Sequence, residues 1–265
     1  MKHSVSIKDI TVKRDSLYSL SPFSENVKRL KRRQDLFDFA YSDIRLYGGR
    51  LTSEGVKSVL AGNAVPGVPV FEHRLCEAHR TLISRFEEML HMAVDTDSQR
   101  VEEFCEILRG AAAPHRGGCA SLPWRKGLPL LYHLDFVPGD DDRIQKDMAE
   151  MFATVRKIER EGFFGKDSSY DFCLKAAAIH MGIVEVYPFA DGFSELSARA
   201  AMQYEIVRAG YFPIDPGISE TEYNDYTATA IKTGDLSGFA GLLRDAVCKK
   251  IQFFIDAIVS SPSRI

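Results

Sequence analysis

Apolar positions recur at helical spacing through most of this chain. Val27, Leu30, Phe37 and Tyr41 fall near a three-to-four-residue spacing and predict a first amphipathic helix. Thr52 precedes Val56, Val59 and Leu60, and the stretch stops at Gly62-Asn63, as for a helix capped by threonine and ended by glycine. Ile83, Phe86, Met89, Leu90 and Ala93 make the next stripe. Val101, Phe104, Cys105 and Leu108 make another, closed by Gly110. Met148, Met151, Phe152, Val155 and Ile158 follow later. The segment from Phe172 to Val184 is apolar almost all round, which places its helix in the middle of a bundle. Leu196, Ala200, Tyr204 and Val207 predict a helix that stops at Gly210, and Phe239 to Ile258 predict a last, long one.

Two stretches break this rhythm. Residues 111–129 (AAAPHRGGCASLPWRKGLP) are rich in Gly and Pro and read as loop. Leu130 to Val137 (LLYHLDFV) then predicts a short strand or hairpin arm, ended by Pro138-Gly139 and an acidic turn. At the ends, residues 1–25 carry six serines and mixed charge and predict a loosely structured lead-in, while 259–265 predict a frayed tail. The pattern is that of a mainly α protein with one helical domain over residues 26–258 and no linker that would divide it.

Composition adds exclusions more than identity. A hydrophobic fraction of 45% and a charged fraction of 27% are those of an ordinary globular protein, not a disordered or collagen-like one. The 34 basic and 37 acidic residues leave a net charge of -3, which argues against a dedicated nucleic-acid binder. No apolar run approaches the roughly 18–20 residues of a membrane span, and the N-terminus has no signal-peptide core. Cys76, Cys105, Cys119, Cys173 and Cys248 are odd in number and widely spaced, which fits reduced thiols in the cytoplasm. The Ser-rich leader leaves secretion into a host cell as an effector open. Oligomeric state has no signature in the pattern.

Candidate chemistry concentrates in one place. His73, Cys76 and His79 sit three residues apart, but on a helix the third has turned about 240° from the first, so the three do not converge on a metal; they read as packing and surface residues. By contrast, Pro188 and Gly192 force a tight loop between a buried helix and a new helix opened by Ser194 and Glu195. A loop feeding a helix N-terminus presents backbone N–H groups and the positive end of a dipole, which suits an anion. On the residues alone, a plain helix–loop–helix connection fits as well.

The same segment, Tyr187 to Ala198 (YPFADGFSELSA), resembles the Fic (fido) motif HPFxDGNGRxxR. Ala177 to His180 resembles the helix before that motif. Arg208 to Ile214 (RAGYFPI), Tyr223 to Tyr226 with Gly234 to Leu236, and residues 51–60 (LTSEGVKSVL) resemble further family stretches, in order, over roughly residues 40–245. The resemblance implies a Fic-like helical bundle with a short β-hairpin flap before the motif helix, about residues 128–140, and a motif loop at 187–198. It also implies a scaffold whose usual activity is AMP transfer from ATP to a protein hydroxyl, with the flap holding target backbone by strand addition.

The departures decide which of these implications carry over. Tyr187 stands at the place of the family's general base, and a phenol is only about one part in a thousand ionised at pH 7. Asp191 keeps the place of the Mg²⁺-binding aspartate, so it is the metal candidate if Mg²⁺ is bound. Gly192, Phe193 and Ser194 occupy the former phosphate loop. Glu195 and Ala198 replace the two arginines, and Arg199 lies about 100° round the helix from the second. Tyr47, in the stretch Asp43 to Gly48, stands where many members carry an inhibitory glutamate. Like charges at about 4 Å repel by roughly 4 kcal/mol at an effective dielectric of 20, more than a helix dipole returns. The expectation is a degenerate Fic-fold protein without AMP transferase activity, with no resident cofactor, that binds a partner protein. Mg²⁺ and nucleotide enter only with residual activity. The alternative is a transferase using another nucleotide or nucleotide-sugar donor, with Tyr187, Asp191, Glu195 and His180 as the groups to test.

Overall fold

The structure is a computed structural model that describes residues 5–112, 124–127, 129, 136–166, 169–190 and 192–260. Among these, α-helices account for all the regular structure apart from one 3₁₀ turn at Asp141–Arg143. They run as α1 (Ile7–Tyr18), α2 (Glu25–Leu46), α3 (Ser53–Leu60), α4 (Val70–His91), α5 (Ser98–Ala112), α6 (Ile144–Arg160), α7 (Phe172–Val186), α8 (Phe193–Arg208), α9 (Glu220–Thr233) and α10 (Ser237–Val259). The predicted mainly helical class stands. The described residues contain no strand. Most of the hairpin expected at 128–140 lies outside them, as do Asp191, Cys119 and the tail from 261.

Helix α8 is the centre of the molecule. Every residue from Phe193 to Ile206 is buried, polar ones included. It packs along α7 and is flanked by α5, α4 and α2. α7 has the all-round apolar surface the sequence showed, and its two faces serve two cores. Ile179, Ile183 and Val184 join the larger core of α2 to α6 and α8; Cys173, Ala176, Ala177 and Met181 join a second core with α1, α9 and α10. Small residues let the central helices approach: a side chain on Gly182 would strike Met151 Cγ of α6 at 2.6 Å. A buried aliphatic or aromatic side chain contributes about 1.5–3 kcal/mol, so these two clusters set the bundle.

Two helices differ from the periodicity reading. The lead-in is not loose: α1 has Ser6 as N-cap in a capping box with Asp9, and buries Ile10 and Leu17 against α10. Val5 N–H donates to Asp245 at 3.1 Å and Lys13 to Gln252 at 2.8 Å, tying it down further. α9 was hidden because its inward residues, Tyr223, Thr227 and Ala230, are not an apolar stripe. The readable signal was at its start, where Ser219 and Glu222 form a capping box. The predicted Thr52 cap is present, accepting from Gly55 N–H at 3.1 Å.

Candidate functional site

The loop between α7 and α8 is held by its own backbone and by two residues from residues 124–127. Tyr187 ends α7 in the left-handed region, φ 48°. Such a conformation costs a non-glycine residue about 1–3 kcal/mol and persists only where surroundings enforce it. Arg125 is the enforcing group. Its backbone N–H donates to Pro188 O at 2.9 Å. Its Nε donates to Tyr187 O at 2.7 Å and its Nη1 to Gly127 O at 2.8 Å, and Nη2 reaches Gly139 O. Beside it, Trp124 stacks on Phe189, ring centroids 5.5 Å apart and 5° from parallel. A buried guanidinium at a helix C-terminus thus meets carbonyl groups with its N–H fork, as the dipole favours.

Ser194 closes the loop from the other side. Its hydroxyl accepts from Phe189 N–H at 2.7 Å and donates to Phe189 O at 2.8 Å. Gly192 is the N-cap of α8 with φ 77°, a conformation suited to glycine. A β-carbon there would also meet the Tyr47 ring at 2.9 Å. The Tyr47 side chain therefore lies directly against the loop, braced by Phe71 at 5.4 Å.

The charges are arranged unlike a phosphate cradle. Glu195 is in the first turn of α8, buried at 8% exposure, with the Tyr187 hydroxyl 3.5 Å from its carboxylate. Burial, and then Glu195, push the Tyr187 phenol well above its ordinary range, so it holds its proton at neutral pH. One turn further, Arg199 points away into the interior. Its Nε donates to Asp43 at 2.6 Å, and Asp43 also bonds His79 Nε2 at 2.8 Å. His79 Nδ1 lies 2.6 Å from Leu75 O. Arg199 Nη1 reaches the Tyr223 hydroxyl at 3.5 Å, and that hydroxyl lies 2.8 Å from His180 Nε2. Burial followed by Arg199 pushes His180 down to about 3. His180 is therefore neutral at pH 7, and its Nε2 shares a hydrogen bond with the Tyr223 hydroxyl, which also accepts from Arg199. Burial works to raise the Asp43 carboxyl, but Arg199 and His79 outweigh it and hold it below the usual carboxylate range. This chain of five side chains joins α2, α4, α8, α9 and α7 behind the loop.

The structure thus brings Tyr187, Ser194 and Glu195 together with Gly192 and Phe193 at one helix start. It links His180 to Arg199 through the Tyr223 hydroxyl. Asp191 lies outside the described residues. His73, Cys76 and His79 stay apart in role: His73 Nε2 accepts from Val65 N–H at 2.9 Å, while Cys76 is buried. No cluster of metal-ligating residues occurs among the described residues. Spacing did not bring Arg125, Asp43 and Tyr223 to this site: Arg125 meets Tyr187 from 62 residues away, and Arg199 meets Asp43 and Tyr223 from 156 and 24 residues away.

A helical bundle built round a buried helix whose N-terminus is fed by a tight Pro-Phe-x-x-Gly loop defines a Fic-type fold. The profile of the Fic/DOC family matches residues 69–205, just over half of the chain, and the chain belongs to that family. It is 23% identical over 261 residues to the protein adenylyltransferase Fic of Drosophila melanogaster, covering 98% of this chain and 50% of that protein. The chain therefore spans about half the length of the curated relatives it matches. Among solved structures it is similar to Fic-1 from C. elegans, with a TM-score of 0.73 at 20% identity over 96% of this chain and 73% of that one. It is also similar to a Fic domain containing signaling protein from Bacteroides thetaiotaomicron VPI-5482, with a TM-score of 0.75 at 14% identity over 96% and 97% of the two chains. At such identities the structural likeness speaks for the fold. Among the described residues no helix is long and apolar enough to cross a membrane.

Proposed function

We propose that this chain is a Fic-fold protein that does not transfer AMP and acts by binding a partner protein. The observation that carries the reading is the placement of charge along α8. The carboxylate of Glu195 faces the loop where a polyphosphate would lie, while Arg199 is turned to Asp43 at 2.6 Å. The guanidinium of Arg125, which holds this loop, is occupied by backbone carbonyls. Tyr187 keeps its proton, so it does not replace an imidazole as general base. Tyr47 against Gly192 narrows the approach. Arg125 on Tyr187 O and Pro188 O, and Ser194 on Phe189, hold the loop, which supports a retained scaffold with altered chemistry. Asp191 is left as the Mg²⁺ candidate of the loop in any residual activity.

Calorimetry of the full chain with ATP and Mg²⁺ tests this. We expect no binding tighter than about millimolar, roughly -4 kcal/mol; micromolar ATP binding would overturn the reading. UDP- and dTDP-sugars in parallel runs address the alternative donor, and saturable micromolar binding of one of them would replace this proposal with a transferase. A second test restores the motif with Tyr187→His, Phe193→Asn, Ser194→Gly, Glu195→Arg and Ala198→Arg together. Labelled AMP appearing on the restored protein, and not on the parent, supports the view that these substitutions abolished the activity.

A further inference from the structure

The near-neutral total charge hides a strongly basic segment far from the motif loop. Five of the six residues from Lys28 to Arg33 are basic, and the sixth is Leu30. They lie on the N-terminal half of α2. Beside them, α2, α3 and α4 enclose a groove of about 410 Å³. Leu30, Phe37 and Leu60 form its apolar floor, and Arg33, Lys57 and Arg80 stand round it; no carboxylate lines it. Leu30, Arg33 and Phe37 recur at the spacing of one helix face. All three cations are exposed at their residues. Lys57 is paired only with the exposed Glu54 at 2.7 Å, and Arg80 with the exposed Glu77 at 3.4 Å. Arg33 makes no ion pair among the described residues. Arg80 also donates to Leu60 O at the end of α3, which fixes the groove's wall.

We infer that this groove binds an acidic amphipathic segment of a partner protein, its apolar side chains on Leu30, Phe37 and Leu60 and its carboxylates toward Arg33, Lys57 and Arg80. The combination of an apolar floor with three same-sign groups from three helices suits that chemistry better than its rivals. A nucleic acid wants an open aromatic face, but the Phe37 ring is engaged by Tyr41, nearly parallel at 5.5 Å, and by the Lys57 ammonium at 5.3 Å. A membrane wants a convex amphipathic face, and this surface is concave. An acidic helix laid in such a groove reads out anchors at helical spacing and is steered by charge. The inference gives the proposed partner binding a surface of its own, and rests on that reading only for the bound segment's being a partner's.

The test measures fluorescence anisotropy of a labelled 18-residue peptide with Leu and Phe at helical spacing and Glu elsewhere, added to the full chain. Saturable binding that weakens with salt is expected. The double variant Arg33→Glu/Lys57→Glu should weaken it by about tenfold or more, and Leu30→Gln should weaken it independently. Circular dichroism and urea midpoints of these surface variants check that the fold is kept. The inference is overturned if the Glu-to-Lys version of the peptide binds equally well or if the folded charge-reversal variant binds like the parent. It is also overturned if single-stranded RNA or phosphatidylserine vesicles compete for the groove with higher affinity than the acidic peptide. Nucleotide calorimetry of the charge-reversal variant should match the parent, so a failure here is separable from a failure at the motif loop.

Discussion

Helix α8 carries Glu195 and Arg199 one turn apart, both buried, and their partners give them different uses. At its first turn Glu195 stands at the loop with the Tyr187 hydroxyl 3.5 Å away. At its second, Arg199 is 1% exposed and bonded to Asp43. A cation at the front of a helix is available to a ligand; the same cation four residues on is part of the fold. The difference teaches that counting arginines near a motif is a weak guide to anion binding. Position along the helix axis, one turn or about 5.4 Å, decides which partner each side chain meets: the Tyr187 hydroxyl for Glu195 and Asp43 for Arg199. The two regions also differ in what holds them. The loop is fixed by the Arg125 guanidinium on backbone carbonyls, the Ser194 hydroxyl and ring stacking, the interior by a side-chain relay from His79 to His180 built round the Arg199–Asp43 pair.

Breaking the interior side should have the largest effect. Arg199→Met leaves Asp43 buried with His79 as its remaining side-chain partner, and a loss of about 3–5 kcal/mol in urea unfolding is expected. Adding Asp43→Leu should recover a substantial part of that loss; a purely additive double variant would show that the pair is not coupled. If Arg199 instead served a ligand, its removal would leave apo stability nearly unchanged. On the loop side, Ser194→Ala strips partners from the buried N–H and C=O of Phe189. A cost of about 1–3 kcal/mol is expected. A shift in the emission of Trp124, the single tryptophan, which stacks on Phe189, should report the loosened loop.

The pH dependence separates the regions further. His180 sits at about 3 in the folded chain, against about 6.5 when unfolded. Between these values the unfolded chain binds a proton that the folded chain refuses. Its contribution is therefore complete above about pH 6.5 and is lost as pH falls toward 3, at up to about 1.4 kcal/mol per pH unit. Asp43, held below the usual carboxylate range, adds a loss in the same direction below about pH 4. His180→Gln keeps an acceptor for Tyr223 and removes the titrating ring. Its urea midpoint should change less than the parent's between about pH 7 and 4.5, and an equally steep loss would place the titration elsewhere. The smallest effect is expected at the cover of the loop. Tyr47→Ala removes a partly exposed ring and should cost under about 1.5 kcal/mol. ATP affinity should stay weaker than about millimolar, because the carboxylate of Glu195 remains.

Much of the fold was legible because helical burial is a local, periodic signal. The apolar surface of α7, the stripes of α2 to α6, the Thr52 cap and the break at Pro188 to Gly192 all follow from spacing. α1 and α9 escaped because a helix can be buried by tertiary neighbours without an apolar stripe; only their Ser-x-x-acid starts announced them. The motif residues Tyr187, Gly192, Phe193, Ser194 and Glu195 could be assembled from order in the chain, since they share one loop. Ser194 could not be given its partner, because its hydroxyl serves Phe189 across the loop and not the helix it begins.

Sequence by itself determined the helical class, the tight loop at the head of α8 and the presence of Glu195 at that loop, since each resides in contiguous residues. The tertiary structure alone decided where the charges go. Arg125 comes from 62 residues away to fix the left-handed Tyr187, and Asp43 from 156 residues away to take Arg199. Tyr47 is laid on Gly192 by the end of α2. Coulomb and hydrogen-bond partners are chosen by distance in space, and distance in space is a property of packing, which no local pattern encodes.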